Sequence, residues 1–147
     1  MAPRFPPELL LMAQGRGLGL KAAIFDVDGV LTDNAVFIGD VGGQRVEFKR
    51  FDIHDGLAHS LLKGNDIEVA WISGRQSEAT THRGQELRVP DVLQVTSTTK
   101  VAHIDALLER KGLSWEQMAF VGDDLPDVPV FEKVGLIRRR RQQPHLL

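Results

Sequence analysis

Cysteine is missing from these 147 residues, which excludes disulfides and thiolate metal sites. A reducing compartment is compatible with that absence. No apolar run is long enough to span a bilayer. The early apolar stretch Leu9-Leu10-Leu11-Met12 is too short for a secretory leader and follows Glu8. A cytoplasmic, soluble chain with no membrane partner is expected. Charge of one sign is not in excess either: a net −2 gives no general pull toward nucleic acid. There is no internal repeat. His54, His59, His82, His103 and His145 are scattered, and no two have metal-ligand spacing. What remains, 42% hydrophobic and 26% charged, is the balance of one ordinary globular domain with a real core.

The stretch that organises the chain is Lys21 to Asp33. Ala22 to Phe25 is an almost unbroken apolar run and predicts a buried parallel strand. It ends in Asp26 and Asp28, with Gly29 permitting a sharp turn after them. Two acids this close repel unless a cation or a shared proton offsets them.

Further apolar runs follow at βαβ spacing. Ile67 to Ile72 predicts a strand that ends in Ser73-Gly74-Arg75, and Met118 to Val121 one that ends in Gly122-Asp123-Asp124. Asp91 to Val95 predicts a short strand. Helices are predicted from Asp55-Gly56 to Gly64-Asn65, from Ser77 to Leu87, and from a Ser97 or Thr98 cap to about Arg110. This alternation predicts an α/β fold, a Rossmann-like three-layer parallel sheet. Ala35 to Ile38 and Gln44 to Phe51, separated by a glycine-rich turn, predict a projecting β-hairpin. In its second run Val46 and Phe48 share one face, and Glu47 and Lys49 the other. A lone hairpin is marginal, so this one is expected to lean on another body, such as a second subunit. A short helix is predicted over Pro7 to Gln14, and Trp71 and Trp115 read as packing residues.

In a parallel sheet the polar strand ends fall on one edge, where open α/β sheets bind ligands. Several carboxylates converging with the Ser73 hydroxyl and Lys100 suit a hard cation and a phosphate. An aspartate can attack phosphorus and a second carboxyl can move the proton. Lys100 and Ser73 can hold phosphate oxygens, because phosphoryl transfer is chiefly positioning and electrostatics. Arg75 offers a bidentate fork for a substrate carboxylate. Lys49 is a further substrate candidate, and Asp127 reads as a cap for the turn at Pro126.

Taken together, Asp26-Val27-Asp28-Gly29-Val30, Ile72-Ser73-Gly74-Arg75, Lys100 and Gly122-Asp123-Asp124-Leu125-Pro126-Asp127 resemble, in order, the four motifs of the haloacid dehalogenase-like hydrolases. Asp26 to Asp33, Glu47 to Phe51, Asp55-Gly56 and the Gly122 motif are similar to the capless branch of 3-deoxy-D-manno-octulosonate 8-phosphate phosphatases. The resemblance implies that Asp26 is the nucleophile and Asp28 the acid/base. It implies a magnesium ion held by Asp26, the Asp28 carbonyl and Asp123, with Asp124 in support and Ser73 and Lys100 on the phosphate. It adds Asp33 to the substrate residues Arg75 and Lys49. It further implies a homotetramer in which the hairpins pack together and neighbouring subunits close the active sites, and a cytoplasmic product used for lipopolysaccharide.

By this reading residues 1–20 are a helix and linker, 21–137 the phosphatase domain without a cap, and 138–147 a solvated basic tail. Three positions depart from the family pattern. Asn34 replaces a glycine, Thr99 precedes Lys100 where aspartate is usual, and Arg138 to Arg141 stand where the family's last strand and tail are not recognisable. The alternatives are a phosphatase for another sugar-acid or small metabolite phosphate, or a non-catalytic oligomerisation module of the same fold.

Overall fold

The computed structural model describes residues 19–134 and the backbone of 136–139. The helix expected over Pro7 to Gln14 and the tail from Arg140, with His145, lie outside the described residues. The sheet is built on β1 (Ala22–Asp26), paired in parallel with β4 (Glu68–Ser73) on one side and β6 (Met118–Gly122) on the other. Outside these lie β5 (Asp91–Gln94) and β7 (Leu136–Arg139), giving the order β5-β4-β1-β6-β7. Every pairing within this sheet is parallel, which is why its central strands β1, β4 and β6 read as largely buried apolar runs. β7 carries on through Arg138 and Arg139, two residues past the boundary expected at 137.

Alternation along the strands divides the core in two. Ile24, Ile72, Met118 and Phe120 face α3 (Lys100–Lys111), whose Ile104, Leu107 and Leu108 close that side together with Val130 of α4 (Val128–Phe131). Val69 and Trp71 project to the opposite face, where they meet Val27, Val30, Leu31 and Val89. Each large side chain so buried contributes about 1.5–3 kcal/mol. The expected layers are therefore present, and among the described residues no inserted cap interrupts them.

α1 spans Ile53–Lys63, two residues earlier than the Asp55-Gly56 start expected, because the Asp52 side chain accepts the His54 N–H at 2.9 Å and caps it. α2 (Glu78–Glu86) starts one residue after the expected Ser77, which caps it by accepting the Thr80 N–H. The chain enters α3 through a 3₁₀ turn, Ser97–Thr99, and neither Ser97 nor Thr98 caps it.

The hairpin pairs β2 (Phe37–Val41) with β3 (Gln44–Phe48) across Gly42 and Gly43, both at positive φ. Its alternation is as expected, but its orientation reverses the usual rule. The polar face with Glu47 turns toward α2, while Phe37 and its cross-strand partner Phe48 stand 61% and 62% exposed.

One buried polar pair stands out among the core aromatics. The Trp71 indole N–H donates to His59 Nε2 at 2.7 Å, and His59 Nδ1 lies 2.6 Å from the Asp55 carbonyl. An indole can only donate, so Nε2 must be bare and the ring neutral. Burial accordingly depresses the His59 pKa, with Lys63 and Arg83 opposing the charged form. As the pH falls the unfolded chain protonates first, so this contribution is complete above about 6.5 and erodes below it. Compared with His59→Gln, the chain is expected to lose more stability between pH 7.5 and 5 in urea titrations. Parallel losses would show that His59 is charged in the fold.

Candidate active site

The register fixes which strand ends meet. Asp26 lies beside Ile72, one residue before Ser73, and Phe25 lies beside Val121, so Asp123 emerges just past the end of β1. Residues separated by almost a hundred positions thus reach one edge of the sheet.

Lys100 ties them together. From the first turn of α3 its ammonium donates to Asp26 Oδ1 at 2.8 Å and Asp127 Oδ1 at 2.7 Å, and all three residues are buried. The second Asp127 oxygen accepts the backbone N–H groups of Asp123 and Asp124, at 3.1 and 3.3 Å. Asp127 does close the cap expected at Pro126, and it also anchors Lys100, a role its place in the sequence did not reveal. Burial raises the Asp26 carboxyl to about 7, against the pull of Lys100 and with the Asp127 charge adding to the rise. Burial alone would lower the Lys100 pKa, but the Asp26 charge and the bonds to both acids raise it above the usual lysine value. Together these leave a buried nucleophile candidate whose negative charge is costly without further positive charge.

The donor set fits such a charge. One carboxylate oxygen each from Asp26, Asp123 and Asp127 lies within 4.8 Å of the others. These hard oxygens suit a small divalent cation. Gly29 is part of the cradle: its φ is +87°, and a Cβ there would fall 2.0 Å from Asp123 Oδ2. Asp127 already accepts three hydrogen bonds, so Asp26 and Asp123 are the better ligands, and Asp127 the post behind them.

Asp28 sits over this cluster, partly exposed. The Ser73 hydroxyl lies 3.4 Å from its Oδ2 and 3.1 Å from the Arg75 carbonyl. On the other side the Lys49 ammonium is 2.7 Å from Asp28 Oδ1. Asp26, Asp28, Ser73, Lys100 and Asp123 are therefore brought to one place, as the sequence implies.

The expected substrate residues are drawn into contacts of their own. Asp33 pairs with Arg50 at 2.8 Å, and the Arg75 fork takes both oxygens of Glu47, at 3.3 and 2.7 Å. Asp124 caps the following turn through the Leu125 N–H. Asn34 takes φ 67°, as tolerance of the left-handed region requires. His54 is a surface side chain paired with Asp52. Sequence reasoning missed Glu47, which also accepts the Ser77 hydroxyl at 2.6 Å. An acid inside an alternating hairpin strand looks solvated until the hairpin's docking is known.

No protein-family model matches the chain. A 3-deoxy-D-manno-octulosonate 8-phosphate phosphatase, KdsC, of Escherichia coli K12 is 40% identical over 117 residues, 80% of this chain. The chain spans 60% of the length of that curated relative. The crystal structure of a 3-deoxy-D-manno-octulosonate 8-phosphate phosphatase from Yersinia pestis is 34% identical with a TM-score of 0.79, covering 92% of this chain and 71% of that one. A phosphatase of the same name from Moraxella catarrhalis, solved with magnesium, phosphate and KDO, is 29% identical with a TM-score of 0.75, covering 86% of this chain and 70% of that one.

Proposed function

This chain belongs to the 3-deoxy-D-manno-octulosonate 8-phosphate phosphatases of the haloacid dehalogenase-like hydrolases, and from that premise we propose that it hydrolyses a phosphomonoester of a small sugar acid through a phosphorylated Asp26. The observation that carries this reading is the Lys100 bridge, which holds a buried Asp26 beside Asp123 at the ligand-binding edge.

Lys100 fixes one Asp26 oxygen and leaves the other to attack phosphorus. As that bond forms, the bond from phosphorus to the sugar oxygen breaks, and Asp28 supplies the proton the departing alkoxide needs. Asp28 then takes a proton from water, whose oxygen attacks the same phosphorus, and inorganic phosphate leaves Asp26 free again. Ser73 and Lys100 hold the other phosphoryl oxygens. Asp26, Asp123 and the Asp28 carbonyl would hold magnesium, which supplies positive charge against the approaching phosphate dianion.

The leading substrate is 3-deoxy-D-manno-octulosonate 8-phosphate, released as the free sugar acid for lipopolysaccharide in the cytoplasm. A second reading, a phosphatase of another sugar-acid phosphate, is favoured by one fact: Glu47 occupies the Arg75 fork meant for the sugar carboxylate. Phosphate release from a panel of phosphorylated sugar acids, with magnesium and with chelator, separates the two. Magnesium-dependent turnover of the octulosonate ester above the others supports the first, and a flat ranking supports the second. No turnover of any ester would remove the enzyme reading.

The outward apolar face of the hairpin, Phe37, Val41 and Phe48, supports a homotetramer closed hairpin to hairpin. Light scattering is expected to give about four chain masses, and a monodisperse monomer would contradict it.

A further inference from the structure

We propose that Lys49 is the positioning residue for the Asp28 carboxylate and couples the seat of the hairpin to proton transfer, an inference that rests on the phosphatase reading above.

The first observation is burial. Lys49 follows an exposed β3, yet its side chain is 0% exposed. Lysine is almost never fully covered without a partner, because removing an ammonium from water is costly. Its partners are Asp28 Oδ1 at 2.7 Å and the hydroxyl of Thr80, itself buried in α2, at 3.2 Å. The Asp28 contact is short but off the hydrogen-bond axis, so charge holds it rather than a directed bond. To grip a substrate carboxylate in solvent, this ammonium would have to abandon Asp28.

The second observation is where the restraint comes from. Ser73, at the end of β4, approaches one Asp28 oxygen, and Lys49 the other. Asp28 follows the end of β1 in a turn, so without Lys49 one side of its carboxylate has no ion-pair restraint. The hairpin is seated around it by Glu47 on Arg75 and Ser77, by Arg50 on Asp33, and by the bridge from Thr32 to Phe51. Asp28 therefore receives its second restraint from a segment whose other face is apolar and open. A shift of about 1 Å in a reacting group can cost on the order of 10²-fold in rate.

The test uses leaving groups. An alkyl phosphate needs a proton on its departing oxygen, whereas p-nitrophenyl phosphate releases a stable phenolate without one. In the full chain with magnesium, Lys49→Met is expected to lower kcat/KM about 30- to 100-fold on both 3-deoxy-D-manno-octulosonate 8-phosphate and glycerol 3-phosphate. On p-nitrophenyl phosphate the loss should stay below about fivefold, because general acid help is not needed there. Thr80→Val, which removes the hydroxyl beside the ammonium and keeps the shape, should give a smaller change in the same pattern. It also serves as the test should Lys49→Met fail to fold.

Loss confined to the sugar acid would make Lys49 a substrate-binding residue and overturn the proposal. Equal loss on all three esters would make it merely structural and would overturn the proposal as well. An unsubstituted chain inactive on every ester would instead defeat the phosphatase reading, and this inference with it.

Discussion

Asp26→Asn is expected to abolish phosphate release, lowering turnover by at least about 10⁴-fold, while leaving the fold intact. The magnitude follows from the role: an amide cannot form the acyl phosphate, and covalent catalysis has no second route past the barrier. The fold survives because asparagine keeps the shape and removes a charge that burial disfavours, while Asp127 still satisfies Lys100. A stability signature accompanies the kinetic one. With its pKa raised to about 7, the buried Asp26 takes up a proton below neutrality that an unfolded carboxyl would not take until about 4. Its unfavourable charge therefore builds as the pH climbs from about 4 to 7 and is complete above that. A divalent cation offsets that charge, so magnesium should raise the thermal midpoint more at pH 8 than at pH 5. Asp26→Asn should flatten this difference. Phosphate release from the variant at the parent's rate would show that another group is the nucleophile.

The second large effect is on Lys100→Met. Removing one member of a buried ion pair strands its partners, at a typical cost of about 3–5 kcal/mol. Here two acids, Asp26 and Asp127, lose the same ammonium. Protonation of Asp26 limits the damage at low pH, so the loss measured in urea should be smaller at pH 5 than at pH 8. Activity should fall at least about 10³-fold, because one lysine both aims the nucleophile and holds the phosphoryl group. A stability change below about 1 kcal/mol at pH 8 would mean that water or another cation replaces the ammonium.

Both variants probe contacts that the sequence makes visible to very different degrees. The apolar runs at Ala22, Ile67 and Met118 announce strands because parallel strands buried on both faces have little choice but to be apolar. Their polar ends are equally legible, since Asp26, Ser73 and Asp123 interrupt those runs abruptly. Lys100 is legible as a lysine near the start of a predicted helix, but one of its two partners, Asp127, looks like a local cap. Their 2.7 Å contact joins the start of α3 to the turn after β6, elements whose packing no local pattern encodes. The substrate residues differ again. Arg75 reads as a fork for a carboxylate, but its carboxylate in the structure is Glu47, supplied by the hairpin.

The sequence by itself determined the parallel sheet, the hairpin with its alternation, and the set of acids at the strand ends. These depend on side-chain type at periods of two and on chain direction, which are local properties. Tertiary structure alone decided which way the hairpin faces, hence that Glu47 and Lys49 are turned inward and Phe37 and Phe48 outward. It also decided that Lys49 ends on Asp28. Long-range ion pairs are selected by the cost of burying charge, and that cost exists only once the chain has enclosed it.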